Sequence, residues 1–339
     1  MPEANLSQPP GNTPIKPDKI LKELGELWTS MAKPDAGGTL ATGETDATAE
    51  TDMAASHGGG MLRACAMTLI SFVDDEEDSI ALSAILGDLM KEHPSRAIVV
   101  RLREGEDFLD HRVFAQCQMP FGHRPQICCE QVEITSAMNR LADVASIVAP
   151  LAVPDLPRVI ILRSARVVRA GALRKILSLG DKIIVDSGRP GAPGFGELGG
   201  LLDVGLITGD LAWTRITEIR ALLAQLLDDR VPKQITIEYA GKEAGAEARY
   251  LEAWLESSLP TTHVGLKGSH NAGDGKPTLI RVDDNLTVTL SQGSAEYDIG
   301  NLHQRASMSS GTDEELLNTE LSIVVHDHVF ETALNRITA

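Results

Sequence analysis

Residues 203–230 read Asp-Val-Gly-Leu-Ile-Thr-Gly-Asp-Leu-Ala-Trp-Thr-Arg-Ile-Thr-Glu-Ile-Arg-Ala-Leu-Leu-Ala-Gln-Leu-Leu-Asp-Asp-Arg. The carboxylate of Asp210 is suited to accept a hydrogen bond from an early helical N–H group, so we expect a helix to begin there. Apolar residues then recur at helical spacing and define one face: Leu211, Ile216, Ile219, Leu222, Leu223, Leu226 and Leu227. The stretch therefore predicts a long helix packed against a core.

The same helix carries residues of the types that dominate protein–protein interfaces, where Trp and Arg supply much of the binding energy. Trp213 and Arg220 are seven residues apart and share a helical face, whereas Arg215 and Arg220 are five apart and do not. Our hypothesis is a partner-binding site that comprises Trp213, Arg215, Arg220 and the cap residue Asp210. In the alternative interpretation, Trp213 packs on the core and the arginines lie in water.

Before this helix, apolar strands alternate with helices from residue 61 onward. This pattern predicts an N-terminal α/β sheet domain over 61–230, with helices on the faces of the sheet. The expected strands are 64–73, 97–102, 111–117, 126–135, 159–162 and 182–185, and the expected helices before the opening stretch are 79–91, 136–148 and 168–179.

A smaller C-terminal α+β domain is predicted over 231–339. Its strands are expected at 234–239, 261–266, 278–282, 286–290 and 296–299, and its helices at 244–257 and 313–336. Asp284-Asn285 is suited to a tight hairpin turn between two of these strands.

Residues 1–60 are predicted to form a tethered helix followed by a flexible linker. The apolar residues Ile20, Leu21, Leu24, Leu27, Trp28 and Met31 form one helical stripe. The stretch from Lys33 to Gly60 is rich in small and acidic residues, as flexible linkers are. We expect the helix to dock onto the body of its own chain, with a partner protein as the alternative.

Composition restricts the classes of partner. The formal net charge of −17 argues against a nucleic-acid partner, because phosphate binding requires basic surface. The sequence has no run of about 18 apolar residues and no apolar segment behind a basic start, so neither membrane spanning nor export is expected. These observations predict a cytoplasmic protein.

No metal site is predicted. Cys65, Cys117, Cys128 and Cys129 lack zinc-ligand spacing and are interpreted as buried free thiols, with the last two on opposite faces of a strand. His326 and His328, two apart on the expected last helix, point in different directions and are interpreted as surface residues. The acidic run 74–78 is interpreted as a solvated turn and a first helical turn rather than a metal site.

Two further motifs bear on ligands. Residues 194–199, Gly-Phe-Gly-Glu-Leu-Gly, match the dinucleotide fingerprint, but no strand directly precedes them, so a mobile surface loop is predicted and no cofactor is expected. His93, Ser95 and Arg96 form either a phosphate site at a strand entry or a structural turn in which Arg96 pairs with an acidic neighbour. The first of these readings corresponds to the alternative function, an α/β enzyme or sensor for a small phosphorylated metabolite.

Five blocks of the sequence resemble the glucose-6-phosphate dehydrogenase assembly protein family, OpcA. The opening stretch resembles its Asp-Leu-x-Trp-x-Arg-Leu-x-x-Trp-Arg signature, although Ile219 stands where the family usually has Trp. The other blocks, in family order, are His93-Pro-Ser-Arg-Ala-Ile-Val99, Gln126-Ile-Cys-Cys-Glu-Gln-Val132, Pro150-Leu-Ala-Val-Pro-Asp-Leu-Pro157 and Asp181-Lys-Ile-Ile-Val-Asp-Ser187.

This resemblance implies a non-catalytic assembly factor and allosteric activator that binds glucose-6-phosphate dehydrogenase and promotes its active oligomer in the oxidative pentose phosphate pathway. The sequence also lacks the Gly-x-Ser-x-Gly, P-loop, His-Glu-x-x-His and Cys-x-x-Cys motifs of common catalytic and redox sites. We therefore expect no enzymatic activity and no cofactor, with dehydrogenase chemistry belonging to the partner.

Overall fold

The computed structural model describes residues 15–31, 61–75, 79–105, 107–118, 126–189, 191–202, 204–269, 272–309 and 311–339. These residues build a mixed α/β fold around two sheets, which confirms the predicted fold class. The linker expected at Lys33–Gly60 and residues 76–78 of the acidic run lie outside the described residues. The predicted division at residue 230 stays a prediction.

The strands of the first sheet are β1 (Met61–Arg63), β2 (Met67–Asp74), β3 (Ser95–Arg103), β4 (Leu109–Gln118), β5 (Gln126–Ala137), β6 (Arg158–Leu162), β7 (Lys182–Val185) and β8 (Ile207–Asp210). Their order is β1-β5-β3-β2-β6-β7-β8, and β4 pairs with β5 as the antiparallel strand. The other neighbours pair in parallel. The side chains of β2, β3, β6 and β7 are mostly buried on both faces of the sheet, which explains the apolar runs of these strands.

Helices cover this sheet, and several differ from the predicted ones. The helix expected over 168–179 is two short helices separated by a turn at Gly171. The long helix of the opening stretch is interrupted at Ile216, whose backbone leaves helical geometry at φ −90° and ψ 6°. The helices are α1 (Pro17–Met31), α2 (Ser79–Glu92), α3 (Leu141–Val148), α4 (Ala165–Val168), α5 (Leu173–Leu177), α6 (Phe195–Leu202), α7 (Leu211–Arg215) and α8 (Thr217–Leu227).

The mobile loop predicted at 194–199 is wrong, because these residues lie in or next to α6. Leu198 and Leu201 are buried, and the ring of Phe195 packs edge-on against Tyr250 with centroids 5.1 Å apart. The apolar residues of this glycine-rich segment thus form a helical face, and burial of that face stabilises the helix despite the glycines.

The strands of the second sheet are β9 (Gln234–Tyr239), β10 (His263–Gly268), β11 (Pro277–Val282), β12 (Leu286–Ser291), β13 (Ser294–Ile299) and β14 (Leu302–Ser307). Their order is β10-β9-β11-β12-β13-β14, and β9 and β10 are the pair that runs in parallel. Helix α9 (Ala246–Ser258) connects these two strands, and Asp284-Asn285 lies in the predicted turn between β11 and β12. The sequence analysis did not predict β14, because its side chains are mostly exposed and show no apolar alternation.

The single helix predicted over 313–336 is wrong. The structure has α10 (Asp313–Ser322) and α11 (His328–Thr338), because Asp327 accepts hydrogen bonds from two backbone N–H groups and starts a new helix. Helix α10 contacts α2 and α7, whereas α11 contacts α6 and α9. These two helices therefore join the first sheet and its helices to the second.

The cysteine interpretation is corrected in part. Cys117 of β4 and Cys128 of β5 are cross-strand neighbours joined by a disulfide, whereas Cys65 and Cys129 are free. The antiparallel register of the two strands brings these cysteines together, and a sequence read without that register gives no sign of the pairing.

Helix α1 docks onto its own chain, as predicted. Ile20 and Leu24 are buried in the main core, and Trp28 Nε1 donates a 2.5 Å hydrogen bond to Glu130 on β5. Glu23 also lies 3.0 Å from His111 Nε2 on β4. The apolar stripe of α1 therefore has a partner surface within the chain.

Replacing Ile20 with Asp is predicted to release α1, because an unpaired carboxylate in the core costs several kcal/mol. Trypsin cleavage at the lysines of α1 is expected to become at least about tenfold faster. Each 1.4 kcal/mol by which the free energy of releasing α1 falls raises the population of the released, cleavable form tenfold. The control is Leu21→Asp at the adjacent exposed position. Equal cleavage rates in the two variants would contradict the docked arrangement.

Candidate functional site

The predicted site lies at the carboxyl edge of the first sheet. Asp210 is the last residue of β8, and Asp186 directly follows the neighbouring strand β7. Because parallel strands end at the same edge, the two carboxylates flank the start of α7. Side chains at this edge and at the start of α7 contact residues of α9, α10 and α11.

Asp210 is completely buried and fully hydrogen-bonded. Its Oδ1 accepts from the backbone N–H groups of Ser187 and Ala212 at 3.0 and 2.9 Å, and its Oδ2 accepts from the Tyr250 hydroxyl at 2.8 Å. Burial raises the pKa of Asp210 to about 6, and the hydrogen bonds oppose that rise. The predicted helix cap is confirmed, and this cap also links β7 to α9.

Arg215 lies in a buried ion-pair network. Its guanidinium makes two hydrogen bonds to Asp186, at 2.7 and 2.6 Å, in the bidentate geometry that Arg and carboxylates favour. Glu247 of α9 and Asp313 of α10 lie 3.6 and 3.9 Å from it. Arg215 thus connects three elements of its own chain.

Trp213 lies in the core, with only 3% of its surface exposed. Its Nε1 donates a 3.0 Å hydrogen bond to Asp327, and its ring packs against Tyr250 and Phe330. The guanidinium of Arg220 covers the indole at 3.6 Å from the ring centroid. The prediction that Trp213 and Arg220 share a face is confirmed, while their partner-binding role stays a prediction.

Sequence analysis missed a second buried ion pair, whose lysine lies at the opposite, amino end of β7. Lys182 at the start of β7 pairs with Glu320 of α10 at 3.2 Å, and Thr214 donates a 2.6 Å hydrogen bond to the same carboxylate. Gly209 is required beside them, because an added Cβ would lie 2.1 Å from Glu320 Oε2. In the sequence, the sign of this ion pair is a lysine at the start of an apolar strand, where a buried charge needs a partner.

The second predicted group occupies the opposite edge, where β3 begins. Arg96 is buried, and it donates to Glu130 Oε2 at 2.6 Å and to the carbonyl of Leu151 at 2.7 Å. Ser95 is also buried, and His93 precedes the strand. Arg96 therefore has the acidic neighbour that the structural-turn interpretation requires, and its guanidinium is occupied within the chain.

The prediction that His326 and His328 point in different directions on one helix is wrong, because they lie at the start of α11 with their rings stacked and the ring centroids 6.5 Å apart. His326 precedes the helix and His328 begins it, and both pair with Glu331 at 2.6 and 3.2 Å. Both are exposed, as predicted for surface residues. Within the described ranges, no group of three or more His, Cys, Asp or Glu residues is arranged to hold a metal ion.

A cavity of 330 Å³ lies at the carboxyl ends of β2 and β6. The strand order reverses between these strands, and a doubly wound sheet binds nucleotides at such a point. Here Arg166 is held by Asp74 and Glu104 at 2.8 and 2.9 Å, and Arg163 by Asp313 at 2.9 Å. Carboxylates within the chain thus already pair with these cations.

The segment after β2 is chemically unsuited to a pyrophosphate. A dinucleotide-binding sheet places a glycine-rich turn there so that backbone N–H groups can approach phosphate. This chain reads Asp74-Asp-Glu-Glu-Asp78, with five carboxylates and no glycine. Their charge would repel a phosphate group.

Sequence models of one protein family match most of the chain. The model described as the glucose-6-phosphate dehydrogenase subunit N-terminal domain (OpcA) matches residues 87–196, and the corresponding C-terminal domain model matches residues 207–334. A relative from Synechocystis named as a putative oxidative pentose phosphate cycle protein, OpcA, is 24% identical over 254 residues, covering 72% of this chain and 51% of the relative. The chain thus spans about half the length of that relative.

Solved structures with a similar arrangement include oxidoreductases. Biliverdin reductase from Synechocystis has a TM-score of 0.45 and 6% identity, covering 80% of this chain and 96% of the reductase. A 3-ketoreductase from Actinomadura kijaniata has a TM-score of 0.45 and 8% identity, covering 80% of this chain and 95% of the ketoreductase.

In the part of the chain that the structure describes, no helix is long and apolar enough to cross a membrane.

The raised pKa of Asp210 predicts a pH-dependent stability. Its folded-state pKa of about 6 exceeds the ordinary value of 3.8, so the folded protein holds this proton more tightly than the unfolded chain. The stabilisation is complete below about pH 4 and is lost as pH rises through about 6, a change of about 3 kcal/mol at 1.4 kcal/mol per pKa unit. Asp210→Asn keeps an acceptor for the cap and removes the titration.

We expect urea unfolding between pH 4 and 7 to show that Asp210→Asn gains stability relative to the parent as pH rises. The control is Asp284→Asn, at an exposed turn position. Parallel stability profiles for the parent and Asp210→Asn would contradict the assignment.

Proposed function

This chain belongs to the OpcA family of glucose-6-phosphate dehydrogenase assembly proteins, and we propose that it is a non-catalytic assembly factor and allosteric activator of that dehydrogenase. The observation that carries the proposal is the match of both family domain models, in order, over residues 87–196 and 207–334. The place of action is the oxidative pentose phosphate pathway in the cytoplasm, with glucose-6-phosphate dehydrogenase as the partner.

The chemistry at the sheet edge supports a role without catalysis. At the position where a doubly wound sheet holds a dinucleotide, β2 ends in Asp74 and the next four residues of the sequence are also acidic. Among the described residues, the arginines that line the adjacent cavity each face a carboxylate: Arg163, Arg166, Arg169 and Arg189. Oxidation of the sugar phosphate then belongs to the partner enzyme.

Activation needs no chemical step in this chain. A protein that binds the active assembly of an enzyme more tightly than the inactive form shifts the population toward the active one. A tenfold preference corresponds to about 1.4 kcal/mol and takes a half-active population to about nine-tenths active.

The proposal predicts that the purified chain alone forms no NADPH from glucose 6-phosphate and NADP. Added to its cognate dehydrogenase, it is expected to raise NADPH formation saturably and to increase the fraction of the larger oligomer seen by analytical ultracentrifugation. The control is the same chain after heat unfolding. Unchanged kinetics and unchanged oligomeric state across the titration would refute the proposal, and NADPH formation by the chain alone would refute its non-catalytic part.

A further inference from the structure

Arg220 on α8 carries a charge that forms no ion pair within the described part of the chain. Among the described residues, no carboxylate oxygen lies within 4.0 Å of its guanidinium, whereas Arg215 has three acidic neighbours. One terminal nitrogen donates to Thr217 Oγ1 at 3.1 Å, and the buried Nε has no hydrogen-bond partner. A guanidinium offers five N–H donors, so most of those of Arg220 have no hydrogen-bond partner among the described residues, and the buried one at Nε is the costly case.

This arrangement is unfavourable in the isolated chain. Burial lowers the pKa of Arg220 to about 10, and the more distant Asp327 opposes that change. Stacking on Trp213 offsets part of the cost, but a partly desolvated cation gains most from a carboxylate within hydrogen-bond reach. An incoming carboxylate would complete the donor set of Arg220.

Three valines with exposed side chains lie on the segment that Asp327 connects to Trp213. Val324 and Val325 lie on the connection between α10 and α11, and Val329 lies in the first turn of α11, with exposures of 72%, 66% and 51%. Asp327 holds this segment next to the Trp213–Arg220 stack, because its side chain accepts from Trp213 Nε1 and from the N–H group of Val329. The hydrogen bonds of Asp327 thus connect the segment that carries the valine patch (Val324, Val325 and Val329) to the Trp213–Arg220 stack.

Large exposed apolar side chains are few in the described part of the chain, and three of the seven belong to this patch. Grouped apolar surface next to polar groups is typical of protein interaction sites. Arginine and tryptophan are also the residue types that dominate binding hot spots, and Arg220 stacks on Trp213.

We propose that Arg220 and the valine patch form a docking surface for a protein that presents a carboxylate beside apolar side chains. The proposal rests on the proposed function and assigns this complementary surface to glucose-6-phosphate dehydrogenase. The formal charge of the whole chain is −17, so a carboxylate of the partner is favoured only where a local cation faces it. Arg220 thereby fixes the register in which the two proteins dock.

The test uses two variants of the full chain with matched controls. Arg220→Met keeps an unbranched side chain over Trp213 but removes the charge and the donors, and Val325→Asp places a carboxylate in the exposed patch. The controls are Arg174→Met, at an exposed arginine of α5, and Val231→Asp, at a valine that is 75% exposed outside the patch. Circular dichroism and thermal unfolding establish that each variant is folded.

Binding to the purified cognate dehydrogenase is measured by titration calorimetry, and activation by NADPH formation. We expect Arg220→Met and Val325→Asp each to weaken binding by about thirtyfold or more, the range of hot-spot residues, and the controls to bind as the parent does. Binding of both patch variants at parental affinity overturns the proposed surface but leaves the activator role intact. Equal weakening in all four variants also overturns it, because the loss is then not specific to this surface.

Failure of the proposed function is distinguishable from failure of the docking surface. If the parent chain neither binds nor activates the dehydrogenase, the activator role itself is wrong, and this surface falls with it. That outcome is visible before any variant is compared.

Discussion

The buried carboxylate of Asp210 is the contact on which the candidate site depends. It ends β8, caps α7, fixes the backbone after β7 through Ser187, and accepts the hydroxyl of Tyr250 from α9. One side chain therefore sets the positions of two strands of the first sheet and a helix of the second. Both oxygens of this carboxylate accept hydrogen bonds, and a buried charge is tolerated when it is hydrogen-bonded in this way.

Two buried ion-pair networks surround this cap and fix α10 against the sheet. Lys182 pairs with Glu320, and Arg215 pairs with Asp186 and approaches Asp313. Such pairs contribute modestly to net stability, since desolvation offsets their attraction, but loss of one member leaves an uncompensated charge. We interpret them as constraints on arrangement: any other packing of α10 would leave a buried charge unpaired.

The sequence predicted the local features of this structure better than the distant ones. The cap at Asp210, strand β7 and the shared face of Trp213 and Arg220 follow from short-range spacing, and all three are present. The interruption at Ile216 and the partner of the Trp213 indole depend on tertiary contacts, the latter with a residue 114 positions away. Periodicity reports which face is buried, but it does not identify what covers that face.

Arg215 and Arg220 show how tertiary contacts divide two similar residues. Both follow Trp213 closely and both were predicted as interface residues, although the spacing favoured Arg220 because it shares a face with Trp213. Arg215 contacts three carboxylates of its own chain, so its charge is paired internally. Among the described residues, Arg220 meets only an aromatic face and a hydroxyl, and the docking surface proposed above would supply its carboxylate from a partner protein.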